Sequence, residues 1–258
     1  MIRVGVLGAL GHMGREVCRA VRADPDTTLV AAVDPEANGE SIEGVRASDD
    51  IEVLSQSEAD VAVDFTHPTA VMDTLRWCVG HAVDVVVGTT GLTAANLDEV
   101  RALIETEGNE SNVFVAPNFA IGAVLMMRFA AQAAKFLPNA EIIELHHDGK
   151  ADAPSGTALR TAEEIAGARL ADPVLKVTSV ESVEGARGGT VHGIPIHSVR
   201  LPGLVAHQEV ILGGPGQTLT IRHDSTDRAG FMPGVLLAVK RIRYHPGLTV
   251  GLENLLDL

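Results

Sequence analysis

Basic residues are in the minority. Of the 258 residues, 20 are Lys or Arg against 34 Asp or Glu, a formal net charge of −14. A chain this acidic repels phosphate backbones and anionic headgroups, which excludes nucleic acid and a membrane surface as main partners. A small anionic substrate stays compatible, because a site can be locally positive inside an acidic shell. Cysteine is equally scarce, with Cys18 and Cys78 alone. Each falls in an amphipathic helical pattern and reads as a small buried apolar side chain, not as half a disulfide or a metal ligand. That usage suits a reducing cytoplasm. No apolar run reaches the roughly 18 residues of a membrane span. The opening Met1–Gly8 turns glycine-rich too soon for a signal peptide and reads as a first strand. There is no internal repeat and no low-complexity segment.

What is present is a globular composition, 46% hydrophobic and 21% charged, in a chain long enough for one or two cores. Short apolar strand patterns alternate with helical ones as far as residue 136. Strands are expected at Arg3–Leu7, Thr28–Val33, Val61–Phe65, Val83–Val87 and Val113–Ala116. Helices are expected at Met13–Ala23, Pro68–Val79, Ala94–Glu107 and Ile121–Phe136. Strands that are apolar throughout suit a parallel sheet covered on both faces. The fold class is therefore α/β: a Rossmann-like parallel-sheet domain. The pattern then changes. A strand at Ala140–His147 and a helix at Ser155–Leu170 precede strand patterns from Val174 to Asp224, clearest at Ile194–Leu201, Val205–Leu212 and Thr218–Arg222. These predict an α+β domain with a mixed sheet. A helical stretch at Arg228–Arg243 is expected to return to the first domain. The expected division is 1–117 with 229–258 for dinucleotide binding, and 118–228 for substrate binding and oligomerisation.

Gly8-Ala9-Leu10-Gly11-His12-Met13-Gly14 follows the first strand and opens the first helix. Glycines so spaced allow a tight turn, close approach to a pyrophosphate and close helix–strand packing. The helix start adds free N–H groups and the positive dipole end. Asp34 ends the second strand about 20 residues later, where a carboxylate accepts from the ribose hydroxyls. A 2′-phosphate would want Arg or Lys nearby. Ala9, Leu10, His12 and Pro35 to Asn38 offer none, apart from a protonated His12, so NADH is expected to serve at least as well as NADPH. Three further loops end strands of the same sheet: Phe65-Thr66, Gly88-Thr89-Thr90 and Ala116-Pro117-Asn118-Phe119. Ligands of open α/β sheets lie outside the carboxyl ends of the strands, so all three are candidate cofactor contacts. Thr66 also suits helix capping.

The densest chemistry runs from Glu144 to Ala158. His146 and His147 end a strand, and alternation sends their rings to opposite faces. Lys150 adds a point charge. Ser155, Gly156 and Thr157 open a helix whose N-terminus is an anion site. Together they suit a small dicarboxylate, with His as acid or base near neutral pH. Taken singly, the His pair also reads as surface polarity. No third and fourth ligand at a familiar spacing accompanies the pair, so no metal is expected.

These residues resemble the 4-hydroxy-tetrahydrodipicolinate reductase (dihydrodipicolinate reductase) family, over essentially the whole chain. The resemblance rests on Gly8–Gly14, Asp64-Phe65-Thr66, Val87 to Gly91, Ala116 to Phe119 and above all Glu144 to Ala158. His245-Pro246-Gly247-Leu248 and Gly251-Leu252-Glu253 are similar to the actinobacterial branch. It implies reduction of a cyclic dicarboxylate by NAD(P)H in lysine and diaminopimelate biosynthesis, with loss of water. It implies His146 as acid/base, Lys150 as proton donor, and His147 with Ser155, Gly156 and Thr157 as carboxylate-binding groups. It also implies a homotetramer joined through the second sheet. The missing cation in the glycine loop departs from many relatives and puts their NADPH preference in doubt. Two rivals stay open: another two-domain dehydrogenase, acting on aspartate or on an aldehyde through a catalytic cysteine, and a dinucleotide sensor without chemistry.

Overall fold

The structure, a computed structural model, describes residues 1–108, 110–170 and 180–256. The chain forms two compact units, Met1–Phe119 with Phe231–Leu258, and Ala120–Gly230.

The first unit alternates strands and helices: β1 (Ile2–Leu7), α1 (His12–Ala23), β2 (Thr27–Val33), β3 (Ser41–Ile42), β4 (Val45–Ser48), α2 (Val53–Gln56), β5 (Val61–Asp64), α3 (Val71–Gly80), β6 (Asp84–Val87), α4 (Ala94–Thr106) and β7 (Val113–Val115). The second unit holds α5 (Ile121–Ala134), β8 (Asn139–His146), α6 (Gly156–Ala168), β9 (Gly189–Val191), β10 (Ile194–Arg200), β11 (Ala206–Gly214) and β12 (Gln217–Ser225). The chain returns to the first unit in α7 (Met232–Arg241) and β13 (Leu248–Val250).

The first sheet runs β13-β7-β6-β5-β1-β2-β4-β3, parallel except for the β3–β4 hairpin. Val63, Val85, Val86 and Phe114 are fully buried, as expected of strands covered on both faces. Register places the functional loops. Leu7 pairs with Val33 and Asp64, Asp64 with Val87, and Val87 with Val115. One row across the sheet is thus followed by Gly8, Asp34, Phe65, Gly88 and Ala116. The strand order reverses about β1, with β2 on one side and β5 on the other. That is where such sheets take ligands.

The second sheet runs β12-β11-β8-β10-β9, with β8 and β10 parallel and the other pairs antiparallel. Ala140, Ile142 and Glu144 of β8 and Val210 and Leu212 of β11 are buried on the face that α5 and α6 cover. Ile143, Leu145, Val199 and Ile211 stand half-buried on the other.

Some expectations shift. The helix expected from Pro68 starts at Val71, because the His67 carbonyl accepts from Ala70 and Val71 in a preceding turn. The stretch from Arg228 begins as a 3-10 turn over Arg228–Phe231 and becomes α-helical at Met232; Pro233 sits in its first turn, where a missing N–H costs nothing. The strand pattern from Val174 begins within 171–179, outside the described residues.

Candidate active site

The glycine loop is shaped by backbone contacts. Gly8 has φ +75, and a Cβ there would lie 2.6 Å from the Phe65 carbonyl oxygen. A Cβ on Gly14 would overlap the Gly8 carbonyl oxygen and sit 2.8 Å from Ala9 Cα. Both positions require glycine. Gly11 is the N-cap of α1 and offers no side-chain cap, and no acid lies in the first turn. The first-turn N–H groups are left to an anion, so the loop fits a pyrophosphate.

Asp34 is nearly buried. Its Oδ2 accepts from Leu10 N (2.9 Å) and its Oδ1 from Glu36 N (3.0 Å). A carboxylate offers about four acceptor positions, so two remain for ribose hydroxyls. Sequence reasoning missed two cations nearby. Arg15 donates to the Leu10 carbonyl (2.9 Å) and pairs with Glu40 at 3.7 Å. Arg46 lines a cavity of about 380 Å³ with Ala37, Gly39 and Ser48. Of the remaining loop residues, His12 is exposed, Leu10 and Met13 are half-buried, and Ala9 turns into the core.

Asp64 locks two of the other loops together. It is fully buried, and its Oδ1 accepts from Thr66 N (2.9 Å), Thr66 Oγ1 (2.7 Å) and Thr89 Oγ1 (2.7 Å), while Oδ2 takes the Thr74 hydroxyl. Burying a carboxylate costs several kcal/mol, on the order of what these donors return. Thr89 spends its hydroxyl on Asp64, which leaves backbone to face a ligand. Gly88 gives room to the Phe65 ring, which stands 5.9 Å from Phe119. Phe119 and Ala116 are core residues, Asn118 is half-buried, and Thr90 and Pro117 are exposed. Asp64→Asn puts an amide where four donors converge. It is expected to cost about 1–3 kcal/mol in denaturant unfolding and to weaken NADH binding in a fluorescence titration. Unchanged NADH affinity would separate these loops from the cofactor.

The second unit carries the other cluster. Glu144, fully buried on β8, is its centre. Oε1 accepts from Arg200 Nη2 (2.8 Å) and from Ser155 N (3.2 Å), Oε2 accepts from Arg200 Nη1 (2.8 Å), and His146 Nδ1 stands 2.5 Å from Oε2. Arg200 Nη2 also donates to the Asp152 carbonyl (2.6 Å), and Lys150 Nζ to Asp152 Oδ1 (2.7 Å). The bonds therefore tie together the end of β8, the end of β10, the Lys150 loop and the start of α6. His147, next along the chain, is exposed. Ser155 caps α6: its Oγ accepts from Ala158 N (3.2 Å), Gly156 lies exposed beside it, and Thr157 is half-buried in the same turn.

Burial alone would raise the Glu144 carboxyl, but hydrogen bonds from Arg200, Ser198 and His146 and the charge of Arg200 outweigh it and hold it below the ordinary range. Burial lowers the His146 imidazole, the positive Lys150 and Arg200 add to that, and Glu144 opposes it without prevailing. The net direction favours the neutral ring. The Lys150 hydrogen bond, with its charge, holds Asp152 low. Sequence reasoning missed Glu144 and Arg200 as site residues. The available signal was an acid two positions before His146 on one strand face, which needs a cation when buried.

Family models place the rest. Residues 2–119 match the dihydrodipicolinate reductase N-terminal model and residues 122–256 the C-terminal one. The chain belongs to the dihydrodipicolinate reductase family. The 4-hydroxy-tetrahydrodipicolinate reductase of Mycolicibacterium vanbaalenii is 53% identical over 258 residues, covering 100% of both chains. That of Nocardia farcinica is 54% identical over 259, covering 100% of this chain and 99% of the relative. The dipicolinate-bound dihydrodipicolinate reductase from Paenisporosarcina sp. TG-14 superimposes with a TM-score of 0.90 at 42% identity, over 99% of this chain and 100% of that one. As a reductase of this family the chain is an NAD(P)H-dependent oxidoreductase, and the sensor reading is not favoured. The thiol-dependent aldehyde reading fails on chemistry as well. Cys18 and Cys78 are fully buried, and burial pushes the Cys18 thiol up to about 12 and the Cys78 thiol up further. Neither supplies a thiolate nucleophile. No helix among the described residues is long and apolar enough to cross a membrane.

Proposed function

We propose that the chain reduces 4-hydroxy-tetrahydrodipicolinate to tetrahydrodipicolinate with NADH or NADPH, on the diaminopimelate route to lysine, as a cytoplasmic homotetramer. The observation that carries this reading is the tie of His146 and the α6 N-terminus to one buried carboxylate, with Lys150 held on Asp152 in the loop between them, in a chain matched over residues 2–119 and 122–256 by one reductase family. One hydride and one proton enter the ring and one water leaves, so the reaction balances without a metal.

A nicotinamide cofactor held by the first unit would supply the hydride. The Gly8–Gly14 loop and the positive end of α1 would hold its pyrophosphate, and Asp34 would take the adenosine ribose. The loops at Phe65–Thr66, Gly88–Thr90 and Ala116–Phe119 line the rest of its path. In the second unit, the start of α6 at Gly156 and Thr157, the Ser155 hydroxyl and His147 bind the substrate carboxylates. Lys150 keeps two donors beyond the one given to Asp152. It neutralises the dianion and delivers a proton, while His146 serves as acid/base. For tetramer formation the support is the face of the second sheet opposite α5 and α6, where Ile143, Leu145, Val199 and Ile211 stand half-buried among the described residues.

A synthase-coupled assay tests the reaction, with substrate made in situ from pyruvate and aspartate semialdehyde. Cofactor oxidation that depends on the synthase is expected, at a rate with NADH at least equal to that with NADPH. Absence of oxidation would refute the activity. A strong NADPH preference would instead move cofactor choice to Arg15 or Arg46.

A further inference from the structure

We infer that Glu144 is the positioning residue that fixes the proton of His146, holding it on Nδ1 so that Nε2 is the nitrogen that exchanges. The inference rests on the reading of His146 as the acid/base group. Its physical basis is a count of donors and acceptors. Glu144 has no exposed surface, and its two oxygens receive two guanidinium N–H groups and the Ser155 N–H. A carboxylate so surrounded is ionised and can only accept. The ring nitrogen that faces it, Nδ1, must therefore donate, because a bare nitrogen would set two lone pairs against each other in a buried place. Nδ1 keeps its proton in both the neutral and the charged ring, and the titrating proton sits on Nε2.

Arg200 has the complementary task. A buried carboxylate without a cation would rise and compete for the imidazolium proton. The two-pronged contact from Arg200 keeps Glu144 a hydrogen-bond acceptor and not a proton store. Register makes the group a unit: on β10, Ser198 lies opposite Glu144 and Arg200 opposite His146. The charged groups that face His146 are Glu144 on its own strand, Arg200 from β10 and Lys150 from the following loop. On the β11 side its partner is the uncharged Ala206.

The test is nitrogen-detected NMR of the imidazoles in the wild-type protein across the pH range, with His146 assigned by its loss in His146→Gln. The expected result is an Nδ1–H tautomer at neutral pH, with Nε2 as the nitrogen whose shift titrates. An Nε2–H tautomer overturns the inference. This measurement needs no turnover, so it separates failure of the inference from failure of the reductase reading. Glu144→Gln supplies the kinetic test. Loss of the carboxylate removes what holds the ring's pKa up, so the limb of the kcat pH profile due to His146 should move to lower pH. The kcat should fall on the order of 100-fold with little change in KM for NADH. A rate loss with an unmoved limb would mean a merely structural role and would also overturn the inference. If Glu144→Gln does not fold, the wild-type spectrum decides alone.

Discussion

Lys150→Ala should lower kcat by about 10²- to 10⁴-fold, the range that a positioned proton donor contributes, and leave the affinity for NADH as it was. The side chain contributes little to stability. Its Nζ donates to Asp152, itself largely exposed, and such a pair contributes under about 1 kcal/mol. Deleting it should leave thermal unfolding nearly unchanged. On the proposed reading, what is lost is a cation facing a dianion. At an effective dielectric near 20, two charges 4 Å apart interact by about 4 kcal/mol, and the proton source is lost as well. Stopped-flow turnover with parallel NADH titration separates the two effects. An unchanged kcat would remove Lys150 from the reaction. A raised NADH dissociation constant would mean that it serves the cofactor.

Gly14→Ala should abolish measurable NADH binding. The added Cβ would meet backbone, the Gly8 carbonyl oxygen and Ala9 Cα, not the end of a flexible side chain. Relief requires α1 to shift away from β1, and overpacking of this kind costs about 1–3 kcal/mol. The same shift moves the first-turn N–H groups off the anion they would bind. Binding should therefore fall further than stability. Calorimetric titration with NADH and a melting curve on one sample check both. Wild-type affinity in a folded Gly14→Ala protein would place the pyrophosphate elsewhere.

The legible parts of the fold were those in which one local pattern decided the outcome. β1, β5 and β6 show as apolar runs because both faces of their sheet are covered. The row of loops after Leu7, Val33, Asp64, Val87 and Val115 then follows from topology. The β3–β4 hairpin was not legible. It turns on Glu43 and Gly44, both at positive φ, and glutamate is not a residue that signals such a turn. β13 spans three residues and exists through its pairing with β7, a contact between distant stretches of chain.

The candidate site divides in the same way. His146, Lys150 and the Ser155 turn lie within one short run and announce themselves. The Arg200–Glu144 pair spans 56 positions and depends on the parallel register of β8 with β10. Asp64 was visible as part of a motif. Its role as acceptor for Thr66, Thr74 and Thr89 arises only when three segments meet.

The most direct test of the account uses NADH deuterated at its hydride-donating carbon in the synthase-coupled reaction, with the product examined by mass spectrometry. One deuterium in tetrahydrodipicolinate, formed at the rate of NADH oxidation, is the predicted result. Unlabelled product, or no product from protein that still binds NADH, would contradict the account.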